Sequence, residues 1–198
     1  MKKLVLFLMV SVFVPLMVFS IGIGSKATLT DVKMLDISGK RVSLTDAALE
    51  NGLLVIFSSN TCPFVMQWEG RYTELKSWAD KHKVGMIVLN SNYQNRNDVD
   101  SYARMQEHAK AKNYNFYYVV DEESKIANAF GGQTTPHVFL FDQDMTLVYK
   151  GAVDDNYKNA GEVKQAYVKD AIASMVKGEK IEIAETRPLG CSIKRKAD

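Results

Sequence analysis

The stretch Leu53-Leu54-Val55-Ile56-Phe57-Ser58-Ser59-Asn60-Thr61-Cys62-Pro63-Phe64-Val65 begins as an unbroken apolar run and ends with a cysteine in front of a proline. A continuous apolar run of this length predicts a strand buried on both faces, as in sheets covered by helices on each side. After Cys62, residues Phe64, Trp68, Tyr72, Leu75 and Ala79 recur at spacings of 4, 4, 3 and 4, which is one face of a helix. Pro63 suits the first turn, where its missing N–H has no helical partner. The junction between the two elements lies at the carboxyl end of a central strand, where open α/β sheets place their chemistry.

The same alternation continues outward. Val32–Ile37 is a predicted strand closed by Ser38-Gly39-Lys40, and Val84–Leu89 is a second buried run. Asp98–Lys112 predicts a polar helix capped by Asp98, Phe116–Val120 a strand, and Glu122–Phe130 a short helix stopped by Gly131-Gly132. His137–Phe141 and Thr146–Tyr149 predict two more strands joined by Asp142-Gln143-Asp144. Val163, Tyr167, Ala171 and Met175 mark a last helix, ended by Lys177 and Gly178. Strands alternating with helices predict an α/β domain with helices covering a central mixed β-sheet over residues 28–178, followed by a C-terminal tail, residues 179–198.

The 198 residues, 46% hydrophobic and 24% charged, suit one domain with an appendage. Two cysteines and three scattered histidines cannot build a thiolate zinc site, so no metal is expected. Nothing resembles a glycine-rich phosphate loop, and no cofactor is expected. With Lys2, Lys3 and Lys26 set aside, 22 of the 25 basic residues face 23 acidic ones, a near-neutral body with no field for nucleic acid. Those three lysines flank an uncharged run from Leu4 to Ile23, which reads as a secretory signal over residues 1–27. Cleavage is expected after Ala27, with Ser20 as the other site, and a retained membrane anchor is the alternative. Either way the body is expected outside the cytoplasm, periplasmic or extracellular, where disulfides persist.

Cys62 at the start of a helix meets free N–H groups and the positive end of the dipole, so its thiol is expected below the free value of about 8.5. A thiolate attacks disulfides and peroxides. A structural cysteine is the alternative, and is more at home in mid-strand. His82 and His108 lie in polar helical stretches and are read as solvated. His137 is read as packing, and Arg71 as a surface residue.

Asn60–Val65 and Thr134-Thr135-Pro136-His137-Val138-Phe139-Leu140-Phe141-Asp142 resemble the thioredoxin fold, and within it the peroxiredoxin-like redoxins of the alkyl hydroperoxide reductase/thiol-specific antioxidant type. Asn90-Ser91-Asn92, Tyr149-Lys150-Gly151 with Asp154-Asp155, and Gly190-Cys191-Ser192-Ile193-Lys194 match in order, so the resemblance spans about residues 29–196. It implies that Cys62 is the attacking cysteine, flanked by Thr61 and Pro63. It also implies that Pro136 is a cis-proline facing the sulfur, with Thr135 offering its backbone to an extended substrate. The implied partners are a peroxide or protein disulfide and an external, thioredoxin-like thiol donor. This sequence departs from its relatives in two places. Val65 stands where thioredoxin carries its second cysteine, and Val55 where peroxiredoxins carry a proline, although Ser59 fills the hydroxyl position.

Cys191 therefore has three readings. From Gly178 the tail has 13 residue steps to it, a reach of roughly 45 Å when extended. It is a resolving cysteine that attacks oxidised Cys62, or half of a structural disulfide worth about 4–5 kcal/mol in the chain-entropy model, or the link in a homodimer. A structural Cys62–Cys191 disulfide would make the domain a non-enzymatic binding module.

Overall fold

A computed structural model describes residues 20–196. In chain order its elements are β1 (Met34–Asp36), β2 (Arg41–Val42), α1 (Leu44–Ala47), β3 (Leu53–Ser58), α2 (Pro63–Trp68), α3 (Tyr72–Lys81), β4 (Gly85–Asn90), α4 (Tyr102–Ala111), β5 (Tyr117–Val120), α5 (Lys125–Phe130), β6 (Thr134–Thr135), β7 (His137–Phe141), β8 (Leu147–Gly151), α6 (Tyr167–Lys177) and β9 (Cys191–Ser192). Seven strands form one sheet in the order β2-β1-β5-β4-β3-β7-β8. β3 runs parallel to β4 and β4 to β5, while β7 and β8 are antiparallel additions. This is the mixed α/β architecture the alternation predicts.

β3 and β4 are buried along their whole length, as their apolar runs require. One face of the sheet packs Trp68, Tyr72 and Leu75 with Met105 of α4 and Val168 and Ile172 of α6. The other packs Leu44 of α1 with Ile126, Ala127 and Phe130 of α5. Ile193 of the tail joins this second layer.

Several boundaries differ from the periodic reading, among them the start of α5, which falls at Lys125 because Glu123 and Ser124 are left-handed. The long helix after Cys62 is broken by a 3-10 turn at Glu69–Arg71 that contains Gly70, so α2 and α3 are separate segments of one amphipathic face. α4 begins at Tyr102, because the polar residues before it make a buried hydrogen-bond knot around Asp100 in place of a helical turn. α6 begins at Tyr167, with Val163 at the end of a separate 3-10 turn.

Residues 1–19, which hold most of the expected signal, lie outside the described residues. Gly24 and Ala27 N–H groups donate to Leu147 and Met145 carbonyls, so residues 24–27 lie along the β7–β8 hairpin. Among the described residues no helix is long and apolar enough to cross a membrane, and no group of three His, Cys, Asp or Glu could hold a metal ion.

Candidate functional site

Cys62 occupies the N-cap position of α2 with Pro63 at the first turn, directly after β3. The loop before it is fixed from within. The Cys62 N–H donates to Ser59 Oγ at 3.1 Å, and the Asn60 N–H donates to Asp100 Oδ1 at 2.8 Å. Asn60 Oδ1 accepts from the Tyr118 hydroxyl, and Asn60 Nδ2 donates to the Val99 carbonyl. Thr61 and Pro63 are exposed on either side, whereas Cys62 itself is only 4% exposed.

The second wall comes from the opposite edge of β3. The Thr135–Pro136 peptide bond is cis, and both residues are buried. The Thr135 carbonyl oxygen lies 2.9 Å from Cys62 Sγ, within reach of its S–H when the thiol is neutral. The Thr135 hydroxyl is buried with no partner of good hydrogen-bond geometry, so it is a donor available to a charged group beside it.

Cys191 completes the arrangement. β9 pairs antiparallel with β6, with Thr135 opposite Cys191 and Thr134 opposite Ser192. That register brings the Cys191 sulfur to 2.8 Å from Cys62 Sγ, with both thiols free. Six predicted site residues, Thr61, Cys62, Pro63, Thr135, Pro136 and Cys191, thus converge from three separate parts of the chain.

The two sulfurs are electrostatically unlike. Burial opposes charge on Cys62. The hydrogen bonds from the Cys191 thiol, from Thr135 and from the Val65 and Cys191 N–H groups outweigh it, and the Cys62 thiol lies below its ordinary value. Burial, the hydrogen bond to Cys62 and the negative charge there push the Cys191 thiol up to about 11. Cys191 is therefore the weaker acid of the two and keeps its proton when Cys62 loses one.

Several neighbours differ from their sequence reading. Arg71 is not a surface residue: it pairs with buried Asp154 at 2.5 Å, and Asp154 also accepts from Trp68 Nε1 at 3.0 Å. These contacts hold the loop after β8 over α2, where Tyr157 packs on Phe64 and Trp68. Arg71 is engaged there, in the turn between α2 and α3. His108 is not solvated either; its Nε2 lies 2.7 Å from the buried Glu69 carboxylate, which also pairs with Lys112. His82 is half-buried against Trp78. His137 packs on Phe139, and burial with the nearby Lys150 charge lowers it to about 3. It is neutral at physiological pH and accepts the Gln133 N–H on Nδ1.

Asp100 was not distinguished by sequence. Its Oδ1 accepts from the Asn60 N–H and Asn90 Nδ2, and its Oδ2 from Asn92 Nδ2 at 2.9 Å. Asn92 Oδ1 in turn accepts the Lys194 N–H at 2.9 Å. One buried carboxylate therefore braces both the Cys62 loop and the tail that carries Cys191. The signal available in advance was the density of Asn and Asp over residues 90–100, because such residues favour loops held by side-chain hydrogen bonds.

Among solved structures, a hypothetical protein of Sinorhizobium meliloti 1021 is 29% identical, with a TM-score of 0.81 over 91% of this chain and 98% of that one. An uncharacterized conserved protein of Geobacillus kaustophilus is 27% identical, with a TM-score of 0.82 over 89% and 94%. The peroxidoxin BcpB of Mycobacterium tuberculosis, at 12% identity and a TM-score of 0.60 over 79% and 96%, shares the thioredoxin-like fold. A search of curated proteins gave no match. The model of the AhpC/TSA family matches residues 23–150, which include Cys62, Thr135 and Pro136, and the chain belongs to that family.

Proposed function

We propose that the protein is an exported thiol-dependent oxidoreductase in which Cys62 is the nucleophile and Cys191 resolves it. The observation that carries this reading is the approach of the Cys62 and Cys191 sulfurs to 2.8 Å, with Cys191 the weaker acid of the two. Toward a hydroperoxide, the Cys62 thiolate attacks the terminal oxygen, the O–O bond breaks, and the alkoxide leaves as an alcohol after taking a proton from solvent. Cys62 is then a sulfenic acid. The Cys191 sulfur attacks it, a Cys62–Cys191 disulfide forms, and the Cys191 proton leaves with the hydroxyl as water. Two electrons from an external dithiol restore the pair. Toward a disulfide, the thiolate forms a mixed disulfide and releases a thiolate, and Cys191 closes the internal disulfide in the same way.

The juxtaposition within one chain supports intramolecular resolution over a disulfide-linked homodimer. For export, the basic start and apolar run to Ile23 are the support. Cleavage after Ser20 keeps the contacts of Gly24 and Ala27 with the hairpin, and cleavage after Ala27 removes them. A non-enzymatic module with a fixed Cys62–Cys191 disulfide is favoured by one feature, the anchoring of the tail on both sides of Cys191.

One assay separates the readings. Hydrogen peroxide consumption and disulfide reduction are followed with an external thiol donor, for the protein and for Cys62→Ser. Turnover that disappears with Cys62 is expected; no turnover in either assay rejects the enzyme and leaves the module.

A further inference from the structure

The tail does more than carry a thiol. Residues 190–194 run along the cis-proline loop, with Cys191 and Ser192 paired as a strand to Thr135 and Thr134. Gly190 passes so close to Thr135 that a Cβ there would collide with its carbonyl group. The Ile193 N–H donates to the Gln133 carbonyl at 3.1 Å, and its side chain, 5% exposed, enters the core layer beside Phe57 and Phe130. Lys194 is clamped on both backbone groups: its N–H donates to Asn92 Oδ1, and its carbonyl accepts the Gln94 N–H at 3.0 Å. Arg195 reaches Asn128 and the Gly132 carbonyl. Upstream of Cys191, Thr186 pairs through its N–H with the Lys150 carbonyl and through its hydroxyl with Tyr149. The strand is thus held at both ends, and it fills the backbone edge beside Cys62 that an extended chain would need.

We propose that residues 190–194 are a resident stand-in for a substrate polypeptide, so that the folded protein oxidises its thiols with small molecules, a hydroperoxide or a low-molecular-weight disulfide, and shuts out polypeptide disulfides while the tail is docked. This rests on the reading of Cys62 as a nucleophile and names its substrate class. The physical reason is competition for one edge. A strand pairs with Thr134–Thr135 only after the tail has left, so reaction with a polypeptide is reduced by the fraction of molecules with the tail open. A small oxidant needs only the one sulfur of Cys62, itself 4% exposed but flanked by exposed Thr61 and Pro63, and needs no backbone edge. The antiparallel pairing of β6 and β9 is itself the contact pattern by which sheet edges bind extended peptides.

The test uses full-length Cys191→Ser protein, which keeps the tail and lets adducts on Cys62 persist. Two probes deliver the same chemistry: 2-hydroxyethyl disulfide, and an extended peptide whose single cysteine carries a 2-mercaptoethanol mixed disulfide. In each case the Cys62 thiolate attacks one sulfur, the S–S bond breaks, and one thiolate leaves; intact mass reads the adduct. With the tail docked, the peptide is expected to react at least about tenfold more slowly. Adding Ile193→Asp or Gly190→Val, which unseat the strand at different points, is expected to narrow the ratio of small-disulfide to peptide rates at least about threefold; the ratio is read because both absolute rates also register the loss of the residue-191 N–H beside Cys62. Equal rates for the two probes with the tail docked overturn the proposal. So does a gap that neither unseating variant narrows, since the tail is then not what excludes the peptide. Failure of Cys62 to react with either 2-hydroxyethyl disulfide or hydrogen peroxide instead rejects the oxidoreductase reading on which the proposal stands.

Discussion

The Cys62 loop and the Cys191 tail meet at two sulfurs 2.8 Å apart, yet they are built in opposite ways. The loop is continuous with a central strand and tied to the interior by Ser59, Asn60 and Asp100. The tail is a late addition, a two-residue strand whose register comes from backbone pairing, one buried isoleucine and hydrogen bonds to loops. Donors converge on Cys62, whereas Cys191 faces the resulting negative charge. The difference teaches a division of labour: a rigid loop and converging donors favour a thiolate on Cys62, while backbone pairing and a buried isoleucine seat a second, less acidic thiol against it.

The comparison breaks most decisively at the sulfurs. Cys62→Ser is expected to abolish both peroxide and disulfide turnover, measured with the external thiol donor; surviving turnover would reassign the nucleophile. Cys191→Ala is expected to keep the first oxidation step and lose sustained turnover. It should also move the pH midpoint of Cys62 reactivity upward. The sign follows from the donor: the Cys191 S–H favours the Cys62 thiolate, so its removal leaves burial less opposed and delays ionisation to higher pH. A pH series of alkylation rates reads the midpoint, and a downward move contradicts Cys191 as a donor to the Cys62 thiolate.

A smaller effect is expected where the two regions share a support. Asp100→Asn keeps the shape but turns one acceptor of the knot into a donor facing other donors. We expect a cost of about 1–3 kcal/mol in unfolding free energy. Because Asp100 braces both sides, faster alkylation of Cys191 should accompany it; a loss of stability with no change at either sulfur would make the knot merely structural. The smallest change lies behind the site. Lys112→Ala removes a half-exposed partner of Glu69, which keeps His108, so the loss should stay within about 1 kcal/mol by thermal unfolding.

Much of the fold was legible in advance because β3 and β4 are buried on both faces and so carry unbroken apolar runs. The helix faces were legible for the same reason, through Trp68, Tyr72 and Leu75. The break at Gly70 and the late start of α4 were not, since the side-chain hydrogen bonds that replace helical ones there come from distant residues. Sequence pattern puts Arg71 at the surface and His108 in solvent because their partners, Asp154 and Glu69, lie 83 and 39 residues away.

Local chemistry written into neighbouring residues was thus available from the sequence by itself. A cysteine before a proline, after a buried strand and at a helix start, specifies where a thiolate is favoured, because the N–H groups that stabilise it belong to the next few residues. The tertiary structure alone decided the second sulfur. Tail length leaves Cys191 within reach of many places, and backbone pairing with Thr134–Thr135, Ile193 burial and the Asn92 clamp select one of them. Selection of that kind depends on surfaces brought together from 102 residues apart at the Asn92–Lys194 contact, and no local pattern encodes it.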